Sequence, residues 1–181
     1  NNTIEARRTG IFHNLFYSSA SPFTVSNNTI TALGNANETR WAGILNTSMQ
    51  VAASTLSGNS INGAGTDPAQ TYVVGIDAWN DQVAPIITGG SITNVMYGIN
   101  VNNYEGYLNT NANNTFATID GVNISNASVA GVQVNDNPAN SNNAKVTAEV
   151  KNVTIGGNTP IGVLISGNDA YANVHDNTIS A

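Results

Sequence analysis

The stretch at 85–92 reads PIITGGSI, and its pattern returns along the chain. FTVSNNTI occupies 23–30, STLSGNSI 54–61, ATIDGVNI 117–124 and AEVKNVTI 148–155. In each, apolar and polar residues alternate, Gly or Asn interrupts, and an Ile follows. Alternation with period two sends one row of side chains in and the other out, so each stretch reads as a strand. The interruption reads as a corner, because Gly and Asn accept backbone angles that other residues avoid.

The closing Ile is an anchor. It recurs as Ile4, Ile30, Ile61, Ile92, Ile124, Ile155 and Ile179, at spacings of 26, 31, 31, 32, 31 and 24. Five residues before six of these lie Val25, Leu56, Ile87, Ile119, Val150 and Val174. A second anchor falls once in every interval: Gly10-Ile11, Gly43-Ile44, Gly75-Ile76, Gly98-Ile99, Gly131-Val132 and Gly162-Val163. GINVN and GVQVN continue from two of these as further short strands. No segment carries a capped apolar stripe of helical period. Several short strands repeated in register are the signature of a solenoid. Each coil alone cannot bury its apolar face. Stacked about 4.8 Å apart with like residues above like, the coils bury continuous columns between parallel sheets.

The repeated N-x-I and G-[IV]-x-[VI] elements resemble the right-handed parallel β-helix of the pectin-lyase-like superfamily. The resemblance spans the whole chain. It implies an all-β fold, a right-handed parallel β-helix of about six coils with ~31-residue repeats, as one domain over 1–181. It leaves function open, since that superfamily holds lyases, hydrolases, phage tailspikes and adhesins. The first and last anchors fall at Ile4 and Ile179, so the chain starts and stops within a coil. The expectation is a segment of a longer protein, monomeric or associating end to end through uncapped ends.

Charge is scarce. Asp, Glu, Lys and Arg make up 9% of the chain, against roughly 25% in an average soluble domain. Polarity comes instead from 31 Asn, 19 Thr and 14 Ser. An in-register repeat explains this, because a repeated charge would stack on itself and repel, while Asn, Ser and Thr hydrogen-bond along the stack. A pI near 4.5 with no basic cluster excludes a nucleic-acid binder. No apolar run is long enough for a membrane-spanning helix, so no membrane insertion is expected. Cys is absent, which excludes a disulfide scaffold, a Cys-ligated zinc site and a thiol nucleophile. No EF-hand, calcium-binding nonapeptide, P-loop, nucleophile elbow or dinucleotide fingerprint occurs, so neither metal nor cofactor is expected. The composition resembles that of secreted bacterial surface proteins, and the resemblance implies a chain outside the cell or on its surface.

Three outward rows carry the candidate chemistry. Four before the anchor Ile stand Ser26, Ser57, Thr88, Asp120, Lys151 and His175; six before stand Thr24, Thr55, Ile86, Thr118, Glu149 and Asn173. Asp120, Glu149, Lys151 and His175 therefore gather on one sheet. They are the catalytic candidates. Diagonal carboxylates on neighbouring coils lie about 7–8 Å apart, inside the range of 5–9.5 Å that glycoside hydrolysis uses. The competing reading is a surface ion-pair cluster. The calcium-binding Asp cluster, aligned catalytic Arg and polygalacturonase motifs that the resemblance calls for are missing, which counts against an enzyme. The Thr row suits ice binding, but Ile86 and the charges break it.

The third row, four after the anchor Gly, reads Asn14, Thr47, Trp79, Asn102, Asn135 and Ser166. Trp79 is its one large apolar member, and an outward Trp suits stacking on a sugar. Arg40, Tyr72 and Tyr104 lie on adjoining loops and extend this binding candidate, with packing as the plainer role for each. Arg40 reads as the local ion-pair partner of Glu38, and Trp41 as core. The expected function is a non-enzymatic, adhesin-like segment with a polysaccharide or host-surface ligand. The alternative is a fragment of a β-helix polysaccharide lyase or glycoside hydrolase.

Overall fold

The computed structural model describes residues 1–15, 23–48, 54–79, 85–103, 115–136 and 145–180. Among these there is no helix, and every strand pairing is parallel. The chain winds as a parallel β-solenoid with three faces. The anchor face stacks Thr3–Ala6, Thr29–Ala32, Ser60–Asn62, the first halves of Ser91–Asn102 and Asn123–Asn135, then Thr154–Gly156 and Thr178–Ile179. The glycine face stacks Thr9–Leu15, Arg40–Ser48, Tyr72–Trp79, the second halves of the same two long strands, and Val163–Ser166. The threonine face stacks Thr24–Ser26, Thr55–Ser57, Ile86–Thr88, Thr115–Asp120, Val146–Lys151 and Ala170–His175.

Register follows the sequence repeat. Ile30, Ile61, Ile92, Ile124 and Ile155 pair in succession. These four turns have the full length of 31 or 32 residues, while the end turns take 26 and 24. The expected six full coils are thus corrected to about four, because the end turns have shorter connections. The columns are buried through the middle of the stack. Ile30, Ile44, Ile87, Ile99, Ile119 and Val150 are wholly inaccessible. Burying each such side chain contributes roughly 1.5–3 kcal/mol. On the last rung, Val174 and Ile179 belong to the same columns yet are exposed.

The corner before the anchor strand has one rule. The residue three before each anchor, Asn27, Gly58, Gly89, Gly121, Asn152 or Asp176, has φ between 53° and 69°. Only Gly, Asn and Asp enter this left-handed region at low cost, which explains the interruption in every repeat. Asn residues also form the expected ladders. Inside the corner, Asn2 Nδ2 donates to Asn28 Oδ1 at 2.9 Å, and Asn28 Nδ2 to Asn59 Oδ1 at 3.0 Å. Outside, Asn94 Nδ2 donates to Asn62 Oδ1 at 3.0 Å, and Asn126 Nδ2 to Asn94 Oδ1 at 3.4 Å. No helix is long and apolar enough to cross a membrane among the described residues.

Candidate functional site on the glycine face

The register of the glycine face assembles a polar cluster from three rungs. Arg40 pairs with Tyr72, Asp77 with Asn100, and Trp79 with Asn102. Ile76 and Ala78 point into the core, so Asp77 and Trp79 alternate outward. An outward carboxylate is ordinarily wet, yet Asp77 is 0% exposed. Its neighbours lie over it. Asn100 Nδ2 and Asn102 Nδ2 donate to Oδ1 at 2.8 and 3.0 Å. Arg40 Nη2 and the Tyr72 hydroxyl donate to Oδ2 at 3.3 and 3.4 Å. Trp79 also hydrogen-bonds to the carboxylate. The Arg40 guanidinium carbon then sits 4.7 Å from the Tyr72 ring centre and 4.9 Å from that of Trp79. Arg40, Tyr72 and Trp79 form the outer surface of the cluster and Asp77 its floor.

Burial pushes the Asp77 carboxyl up to about 6, against the pull of Asn100 and Arg40. Burial, and then the charge of Asp77, also push the Tyr72 hydroxyl up. The folded chain therefore binds a proton at Asp77 more readily than the unfolded chain, whose carboxyl titrates at its ordinary 3.8. The resulting stability is fully present below about pH 3.8 and is lost as pH rises through about 6. Its full span is about 3 kcal/mol. The stability of the natural chain relative to Asp77→Asn is expected to rise as pH falls from 7.5 to 4, read from urea midpoints. A difference that stays flat over this range would mean that Asp77 does not titrate there.

The threonine face also brings its candidates together. Asp120, Lys151 and His175 lie in one row, with Glu149 beside them on the rung of Lys151. Lys151 Nζ meets Glu149 Oε2 at 3.0 Å, and His175 Nε2 lies 3.5 Å from Glu149 Oε1. Lys151 and His175 hold the Glu149 carboxyl below its usual range. Asp120 Oδ1 accepts from Asn152 Nδ2 at 2.8 Å. His175 is raised by Asp176, 2.8 Å from its Nδ1, and then by Glu149. This is the geometry of an ion-pair cluster.

Two sequence readings change. Arg40 does not pair with Glu38. It reaches the buried Asp77, and Glu38 meets Arg8 at 3.5 Å instead. Trp79 is half-buried in the cluster, so it is one wall of a built site and not a bare platform. Trp41 is core, as expected: it is inaccessible, and its indole N–H donates to the Ala6 carbonyl at 3.0 Å. Tyr104 lies outside the described residues. Asp77 is not among the candidates that the outward rows single out. Its spacing of two from Trp79, with Arg40 and Tyr72 one rung apart, was the available signal. Among the described residues no three His, Asp or Glu side chains are grouped to hold a metal ion. Searches among protein families, curated proteins and solved structures found no match to this chain.

Proposed function

We propose that the chain is a non-enzymatic, adhesin-like segment of a secreted or cell-surface β-solenoid, and that it binds a glycan over Arg40, Tyr72 and Trp79. One observation carries this reading: two aromatic rings and a guanidinium are fixed in mutual contact by a carboxylate buried beneath them. Sugar rings present apolar C–H faces and hydroxyl edges. Aromatic rings serve the first and a guanidinium the second. A group whose side chains are already ordered loses little entropy on binding, which suits a ligand that makes few contacts on an open surface. The carboxylates that hydrolysis would need are engaged elsewhere, Glu149 with Lys151 and Asp120 with Asn152.

The test is a glycan array followed by calorimetry on the best ligand. Trp79→Ala and Arg40→Ala are each expected to weaken binding tenfold or more, as truncated anchors at an interface do. Binding that survives both substitutions unchanged would place the site elsewhere. Depolymerisation of any polysaccharide that Glu149→Gln abolishes would establish the enzyme reading in its place.

A further inference from the structure

Asp77 and Arg40 have a second property that neutral-sugar binding does not use. The carboxylate is wholly buried, with one cationic partner. The charged and titratable groups facing it are Arg40, from the strand Arg40–Ser48, and Tyr72, from its own strand. Tyr97, from Ser91–Asn102, reaches the Tyr72 ring at 5.9 Å. The remaining contacts are the neutral donors Asn100, Asn102 and Trp79. Beside the carboxylate, Asn100 Oδ1 is buried without a hydrogen-bond partner. A buried orphan acceptor next to a carboxylate is costly while that carboxylate is ionised and has no proton to offer. Rotation of the Asn100 amide would give a protonated Asp77 an acceptor for its O–H, in exchange for the bond that Asn100 Nδ2 donates to the Tyr72 hydroxyl at 2.8 Å.

Protonation removes the counter-charge of Arg40 but not the two rings that hold it. Cation–π contact with Tyr72 and Trp79 keeps the guanidinium in place. Its side chain is 42% exposed, and only Nη2 is engaged by Asp77. The other N–H groups remain for a planar or tetrahedral oxyanion. Arg7 and Arg8, the chain's other two arginines, precede the strand Thr9–Leu15 that stacks on Arg40–Ser48. Three of the chain's five basic residues thus belong to the start of this face, with Arg8 paired to Glu38.

We propose that the Arg40–Asp77 pair is a proton-gated anion site: protonation of Asp77 frees Arg40, clamped between Tyr72 and Trp79, to take the carboxylate or sulfate of an acidic saccharide. The inference rests on the glycan reading above. It is tested by calorimetry with a heparin-derived tetrasaccharide and with cellotetraose at pH 5 and 7.5. The sulfated probe is expected to bind roughly tenfold or more tightly at pH 5, because its apparent affinity scales with the protonated fraction. Asp77→Asn is expected to bind it at pH 7.5 as the natural chain does at pH 5, with no pH dependence. Arg40→Gln is expected to lose the gain. Carbon-13 NMR of the natural chain supplies a readout free of variants, with the Asp77 carboxyl and the Arg40 Cζ resonance moving at one midpoint. Equal affinity for the sulfated probe at both pH values, a pH dependence that survives in Asp77→Asn, or an Asp77 carboxyl that does not titrate between pH 5 and 7.5 overturns the inference. If cellotetraose binds alike at both pH values while the sulfated probe gains nothing, the gate alone falls. If neither probe binds at either pH, the glycan reading falls with it.

Discussion

Ile92→Asp is expected to abolish the cooperative unfolding transition at neutral pH. Ile92 is 1% exposed and lies between Ile61 and Ile124 in the anchor column. The substitution removes roughly 1.5–3 kcal/mol of burial. It also places a carboxylate where no described cation reaches, at a further cost of several kcal/mol. The sum exceeds about 5 kcal/mol, a large share of the 5–15 kcal/mol that holds a domain folded. Position amplifies the effect. A solenoid rung contacts only its neighbours, so a broken middle rung uncouples the two halves. Circular dichroism and thermal melting decide it, with Ile179→Asp as control. Ile179 is 48% exposed in the same column and is expected to cost at most about 1 kcal/mol. If the Ile92 variant melts within a few degrees of the natural chain, the column is misassigned.

The column was readable because it obeys local rules. A residue three before each anchor must turn left-handed, and the sequence places Gly, Asn or Asp there every time, down to Asp176. An inward row must be apolar, and Val25 through Val150 comply. Asp77 obeys no such rule. Alternation puts it outward, and outward normally means solvated. Its burial depends on Arg40 and Tyr72 folding down from the start of the face and on Asn100 and Asn102 reaching across from the next rung. Of these, only Tyr72 is close to it in sequence. Arg40 shows the same limit from the other side. Glu38 is two residues away, but stacking offers Arg40 a partner 37 residues on. In a solenoid the neighbour on the next rung competes with the neighbour in the chain, and the deeper carboxylate wins because its alternative is an unpaired buried charge.

Scarce charge and the buried Asp77 have one origin. Rows that repeat every rung favour side chains able to donate and accept at once, hence the runs Asn2, Asn28, Asn59 and Asn62, Asn94, Asn126. A carboxylate accepts only, so it needs donors from above, below and beside. Asn100 and Asn102 supply two from one rung, and Arg40 and Tyr72 two from the start of the face. The departure of this row from the ladder rule marks it as a place where the scaffold accommodates something other than stacking.

Gly75→Val is expected to destabilise the chain by about 4 kcal/mol or more, although Val is the better strand residue by propensity. The objection is space. A Cβ at Gly75 would meet Ile92 Cγ2 and would stand 2.5 Å from the Gly98 carbonyl oxygen. Ile92 can change rotamer at modest cost. The Gly98 oxygen cannot move alone, because it belongs to a backbone tied into the parallel sheet on both sides. The same contact recurs along the face: Gly43 against Ile61 and the Gly75 carbonyl, Gly131 against Ile155 and the Gly162 carbonyl. The Gly column is therefore the socket into which the Ile column of the next rung fits. Filling it forces two rungs apart, with lost backbone hydrogen bonds added to the 1–3 kcal/mol of ordinary overpacking. The separation falls between the rungs of Asp77 and Asn100, so the carboxylate's donors withdraw with it. Gly34→Ala is the matched control. Its Cβ would meet only the Gly65 carbonyl oxygen at 3.3 Å and Asp67 atoms at 3.5 Å, and the melt is expected to stay within about 1 kcal/mol of the natural chain. Equal melting of the two variants would mean that the glycines serve the turn of the chain and not the seating of Ile92.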